Sequence, residues 1–196
     1  MKRFRQHLLI ILLSVVPLLF LSCKNRQARI YLNDWEYSLD GNSYYELPVE
    51  KLSSLEKLIP GKIGYIYLRS RFYVPEDYQY ENYGITVGRI RLACEFFFQE
   101  HKILSVGRFP PKKFSNGTNC SFMPVNSELI DFGTYNELSV KLYLEGTGGI
   151  YVKPFLSEYE DAYNVYSVMN FFNSTIFLIL AAFLLFTSIV YLMMFY

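Results

Sequence analysis

The chain has 196 residues, of which 52% are hydrophobic, and 19 Lys and Arg stand against 18 Asp and Glu for a formal net charge of +1. Residues 1–23 hold Lys2, Arg3 and Arg5 and no acid, and residues 170–196 hold no charge, so the middle carries 16 basic and 18 acidic residues, a net of −2. That balance excludes the basic stripe with which a protein neutralises nucleic-acid phosphates, and an aromatic content of 18%, mostly Tyr and Phe, favours the half-buried surface of a sheet.

Residues 1–5 form a short basic segment, followed by an apolar run over residues 8–22 broken only by Ser14 and Pro17. A helix of that length reaches about 22 Å, short of a bilayer core, which is the pattern of a signal peptide. Ser22 precedes Cys23, and Lys24, Asn25 and Arg26 return the chain to water. Leu19-Phe20-Leu21-Ser22-Cys23 resembles a bacterial lipobox in its looser form, which implies lipidation at Cys23; the other reading is an uncleaved signal anchor. In both, the basic start stays inside and residues 24–169 lie outside the cytoplasm.

The segment 31–39 reads as an opening strand with the single Trp35 as a core plug, closed by the turn Asp40-Gly41-Asn42. Residues 52–58 predict a short helix ended before Pro60-Gly61. Residues 65–74 give the clearest strand: Ile66, Leu68, Ser70, Phe72 and Val74 alternate with Tyr65, Tyr67, Arg69, Arg71 and Tyr73. Strands follow at 83–87 and 92–98, with Gln99-Glu100-His101 as a tight connection into 103–106. Residues 110–119 carry loop chemistry, and 122–124 and 129–132 are short strand candidates. Residues 136–145 alternate regularly, and Gly146-Thr147-Gly148-Gly149 turns into a last strand at 150–155. About eight short strands predict an antiparallel sandwich or jelly roll.

Residues 158–175 link this unit to residues 176–196, an uncharged apolar run about 30 Å long as a helix and therefore a transmembrane span. No Lys or Arg follows at Met194-Phe195-Tyr196, which points to the N-terminal piece of a longer receptor or to a degenerate copy of one; a complete chain would need a partner protein within the membrane to signal. The expected organisation is a signal segment over 1–23, a β domain over 24–157, a link over 158–175 and a transmembrane helix over 176–196.

Three stretches carry a family resemblance. Residues 32–40, Leu-Asn-Asp-Trp-Glu-Tyr-Ser-Leu-Asp, resemble the opening strand of the galactose-binding-like jelly roll in the sugar-binding domain of family 2 glycoside hydrolases. Residues 67–75 are similar to its long central strand ending in Pro, and residues 136–142 with the glycines and 150–155 to its closing hairpin. The same jelly roll is the extracytoplasmic sensor of bacterial seven-transmembrane receptors with diverse intracellular signalling domains. The resemblance implies an all-β fold and a non-catalytic sensory role with a carbohydrate or protein ligand. This chain departs from the hydrolase pattern where an Asn-Gly turn gives way to Gln99-Glu100-His101.

Catalytic chemistry is not visible. No pair of carboxylates is singled out by spacing, His101 is the one His after the signal segment, and no nucleophile-elbow, Walker or zinc-protease motif occurs. No cofactor or metal site is expected. Candidate ligand contacts are Trp35, Arg69, Arg71 and His101, each of which also reads as ordinary sheet, core or turn material. Cys94 and Cys120 could pair outside the cytoplasm, or Cys94 could be a small buried hydrophobe. The remaining functional readings are a structural or adhesive envelope lipoprotein and an accessory protein in carbohydrate processing.

Overall fold

The computed structural model describes residues 28–114, 117 and 119–195; the expectations for residues 1–23, with Cys23, lie outside the described residues. Among the described residues ten strands form two antiparallel sheets. In chain order they are β1 (Ile30–Tyr31), β2 (Trp35–Ser38), β3 (Tyr45–Leu47), β4 (Ile63–Val74), β5 (Tyr83–Arg89), β6 (Ala93–Phe98), β7 (His101–Val106), β8 (Cys120–Val125), β9 (Thr134–Glu145) and β10 (Phe155–Glu158). The larger sheet runs β3-β2-β4-β9-β6-β7 and the smaller β1-β10-β5-β8, the two-layer arrangement of a β-sandwich.

The alternation in β4 and β9 sets the frame. These strands pair over their full lengths, from Ile63 opposite Glu145 to Val74 opposite Thr134. Ile66, Leu68, Leu138, Val140, Leu142 and Leu144 face inward and are almost wholly buried. Tyr83, Ile85 and Val87 of β5 and Met123 and Val125 of β8 close the core from the other sheet. Trp35 sits in this core as expected, 2% exposed, with Nε1 donating to Leu32 O at 2.8 Å.

Several connections depart from the sequence reading. The stretch 31–39 is two strands in different sheets: Leu32 N bonds Pro154 O at 3.0 Å, and the chain crosses between layers before Trp35. The helix expected over 52–58 is replaced by two 3₁₀ turns, Val49–Lys51 and Leu55–Lys57. Leu52 O accepts from Ile150 N at 2.9 Å and Leu55 N donates to Gly148 O at 3.1 Å, so these backbone groups serve a tertiary contact and an α-helical ladder cannot continue through them. No strand forms at 129–132; Asn126 accepts from Glu128 N and caps a 3₁₀ turn, Ser127–Leu129, that drops Ile130 into the core. The glycine-rich run after β9 makes no hairpin. It carries the chain to the other sheet, where Ile150 makes one bridge to Ile90 and pairing resumes only at Phe155, after Pro154, a residue with no N–H to donate. His101 opens β7, and the turn is Gln99-Glu100 alone, with φ of 45° and 68°.

The link is helical. Helix α1 (Tyr159–Asn170) begins directly after β10, followed by one π-helical turn, Phe171–Thr175, and helix α2 (Ile176–Phe195). The stretch Tyr159–Met193 is long and apolar enough to cross a membrane, and its most apolar window is unburied within the molecule. α1 lies on the outer face of the smaller sheet. Phe122 of β8 meets Tyr159, Tyr163 and Tyr166 at ring separations of 5.2, 5.5 and 5.7 Å. Thr86 Oγ1 donates to Ala162 O at 2.7 Å, and Arg29 holds Asp161 through two bonds of 2.7 Å. The helix therefore leaves the sandwich as a docked strut.

Candidate ligand-binding site

The outer face of the larger sheet carries the polar half of the strand alternation. Register places Glu36 opposite Arg69, Arg69 opposite Ser139, and Arg71 opposite Glu137. Arg69 Nε donates to Glu36 Oε2, and its guanidinium lies 3.7 Å from the centre of the Tyr44 ring. Arg71 Nε donates to Glu137 Oε2 at 3.0 Å, while Ser139 Oγ donates to the other oxygen of Glu137 at 2.8 Å. The carboxylate of Glu137 raises Arg71 above its ordinary pKa. Burial raises the Tyr44 phenol, against an opposing pull from Arg69.

Beside these pairs, where β3 forms the sheet edge, a cleft of about 500 Å³ opens. Arg69 and Arg71 form one wall, and Asp34, Glu36, Glu46 and Glu50 contribute acidic groups. Leu47, Pro48 and Val49 supply the apolar part of the lining. The volume is that of a small-molecule site, while the lining is more charged than the mostly apolar walls of such sites. Further along the same face, Lys141 Nζ sits 4.7 Å from the Tyr65 ring centre and 6.0 Å from that of Tyr67, and Tyr65 meets Phe109 and Tyr143 edge-on at 5.3 Å. An aromatic platform thus flanks the arginine row.

Of the residues singled out in sequence, Trp35, Arg69 and Arg71 come together at this cleft. The Trp35 indole is committed to the core and to Leu32 O, so it backs the wall. His101 is elsewhere. It lies on β7, separated from β4 by β9 and β6, about 14 Å at ordinary strand spacing, exposed and with Nδ1 2.9 Å from Gln99 O. Cys94 and Cys120 are separate buried thiols on different sheets. Burial pushes Cys94 up to about 12, and the Cys120 Sγ takes a contact from Asn173 Nδ2 at 3.5 Å. Sequence reasoning missed Glu36, Tyr44 and Glu137. Pairing across strands brings Glu36 and Glu137 to the arginines, and Tyr44 reaches Arg69 from the residue before β3; the outward alternation of β9 was the one available signal. Among the described residues no group of three or more His, Cys, Asp and Glu is placed to hold a metal ion.

No protein-family model matches the sequence, and no curated protein matches it. Solved structures do. A β-glucuronidase from glycoside hydrolase family 2 superposes with a TM-score of 0.54 at 13% identity, over 68% of this chain and 18% of the enzyme. The β-glucuronidase of Ruminococcus gnavus gives 0.54 at 13% identity, over 68% of this chain and 28% of the enzyme. A β-D-glucuronidase for Dictyoglomus thermophilum is matched at 0.46 and 15% identity, over 61% of this chain and 20% of that one. The chain thus spans less than a third of the length of these enzymes. At such identities the likeness establishes the architecture, a β-sandwich of the kind found within family 2 glycoside hydrolases.

Proposed function

We propose that this chain is the membrane-tethered, extracytoplasmic ligand-binding portion of a bacterial signalling receptor, non-catalytic itself and recognising a carbohydrate. The observation that carries this reading is the docked helix: α1 packs on the sandwich and continues through the π-helical turn into the apolar α2. A ligand that alters the sandwich would bear on the membrane helix through this seam, provided its affinity differs between two states of the seam. The fold shared with part of each β-glucuronidase supports a saccharide as ligand.

The cleft narrows the saccharide class. Four carboxylates face two arginines there, and the arginines are already engaged by Glu36 and Glu137. A uronate would bring a further negative charge into that surplus, whereas a neutral or amino sugar offers donors to the carboxylates. The test is the melting temperature of the full chain in lipid nanodiscs during titration with neutral, amino and uronic oligosaccharides. A ligand bound only to the folded state at a hundred times its Kd adds about 2.7 kcal/mol. Stabilisation by neutral or amino sugars that Glu46→Ala combined with Glu50→Ala abolishes is the expected result. Stabilisation by uronates alone contradicts the charge argument, and no stabilisation of a folded sample by any saccharide removes carbohydrate as the ligand.

A further inference from the structure

The two ends of the sandwich carry opposite charge. At the end where β4, β9, β5 and β10 approach α1's first turn, residues 75–82, 99–101, 126–133 and 158–161 hold nine acidic residues, one of which, Asp161, is paired with Arg29. At the other end, residues 88–92, 107–114 and 145–154, with the loop 55–62 that bonds Gly148, hold Lys57, Lys62, Arg89, Arg91, Arg108, Lys112, Lys113 and Lys153 against Glu56, which accepts from Gly148 N, Glu145, which pairs with Lys113, and Asp40 in the turn after β2. The domain is therefore a charge dipole along the strand axis.

The helix fixes which end faces the membrane. Tyr159 N bonds Asn82 O at 3.0 Å at the acidic end, and the 12 residues of α1 run about 18 Å down the sheet. Asn173 then reaches Cys120 Sγ, at the start of β8 and opposite Arg89. Ile176 follows three residues later, about 4.5 Å along the helix. Arg89 thus stands at the level of Asn173, about 4.5 Å along the helix from the start of the apolar span, inside the Debye length of about 8 Å at physiological salt. Exposed apolar side chains share this end: Phe114 at 59%, Val152 at 41% and Ile63 at 64%. Phe171 and Phe172 stand exposed on the π-helical turn at the same level. Arg89 Nε and Asn170 Oδ1 are buried beside the exit without hydrogen-bond partners among the described residues.

We infer that the basic end of the sandwich is a docking surface for anionic phospholipid headgroups, seating the domain on the bilayer with its acidic end and the sheet faces turned away. The inference rests on the reading that α2 crosses the membrane. Basic side chains next to a membrane span gain from negative headgroups within a Debye length, and Phe or Val beside them suits the apolar side of the interface. The acidic end is repelled by the same surface, so one orientation is selected.

The test is hydrogen exchange of the full chain in nanodiscs of neutral phosphatidylcholine and in nanodiscs with about 30% phosphatidylglycerol. Exchange in residues 88–92 and 150–154 is expected to slow about fivefold in the anionic discs, with residues 75–82 unchanged. Salt at about 1 M, where the Debye length is about 3 Å, should erase the difference, as should Lys112→Glu combined with Lys153→Glu. Equal exchange in the two disc types, with the chain retained in both, overturns the docking surface alone. A chain that is not retained in either disc overturns the membrane span and the docking surface together.

Discussion

Gly84 is a closely packed point of the seam between α1 and the sandwich. A Cβ placed there lies 2.5 Å from Phe122 Cε2 and 2.9 Å from the Ala162 Cβ, against ordinary carbon contacts of about 3.5–4.0 Å. Gly84→Ala therefore requires about 1 Å of movement between β5 and both neighbours. Phe122 is held among Tyr159, Tyr163 and Tyr166, so it cannot retreat without lifting the helix. Overpacking of this kind costs about 1–3 kcal/mol, which multiplies the population of the undocked helix roughly 5- to 150-fold. Hydrogen exchange of the full chain in nanodiscs measures it directly. Amides of residues 162–170 should exchange faster by that factor, while those of β4 and β9, remote from the seam, keep their rates. Unchanged exchange in α1 would refute the close packing on which the coupling argument stands.

Other perturbations test individual parts. The carboxyl of Asp161 is held below its ordinary value chiefly by its hydrogen bonds to Arg29, so its contribution to stability is complete above the ordinary carboxylate range and is lost as pH falls through the depressed value. Asp161→Asn should cost about 1.5–3 kcal/mol near pH 7 and flatten the acid limb of a melting-temperature profile; an unaltered acid limb contradicts the pairing. Glu100 occupies a left-handed position with φ of 68°, which costs a non-glycine residue about 1–2 kcal/mol. Glu100→Gly should therefore raise the melting temperature by about 4 °C, and a fall would show that the side chain has a stabilising role. The Ser70 hydroxyl is fully buried and unpartnered among the described residues. Ser70→Ala should be neutral or stabilising by up to about 1–2 kcal/mol in chemical denaturation, and marked destabilisation would reveal a hidden partner.

What was legible in the sequence was the part written in periodicity. The strands β4 and β9 alternate cleanly because one face is buried along their whole lengths, and the apolar run at 176–195 reads from its composition alone. Illegible parts were those decided by partners distant in sequence. The expected helix at 52–58 lost to backbone bonds with Gly148 and Ile150, and the glycine run after β9 could signal a turn but not that the chain would change sheets. The split of the opening strand depended on Pro154, more than a hundred residues away. The site was legible in halves. Outward alternation exposed Arg69 and Arg71, but the carboxylates that engage them belong to β2 and β9 and meet them only through register. The Gln99-Glu100 turn shows the reverse lesson. Its departure from Asn-Gly was visible in sequence, yet the backbone keeps the two left-handed residues that such a pair would favour.

The central claim, an extracytoplasmic sandwich tethered by α2, is tested most directly by labelling from one side of the membrane. Glu81→Cys at the acidic end and Tyr135→Cys on the outer face of the larger sheet place thiols at exposed positions, while Cys94 and Cys120 are buried and the unsubstituted chain gives the background from Cys23. In intact spheroplasts a membrane-impermeant maleimide should modify both variants before lysis. Modification only after lysis would place the sandwich in the cytoplasm and contradict the account.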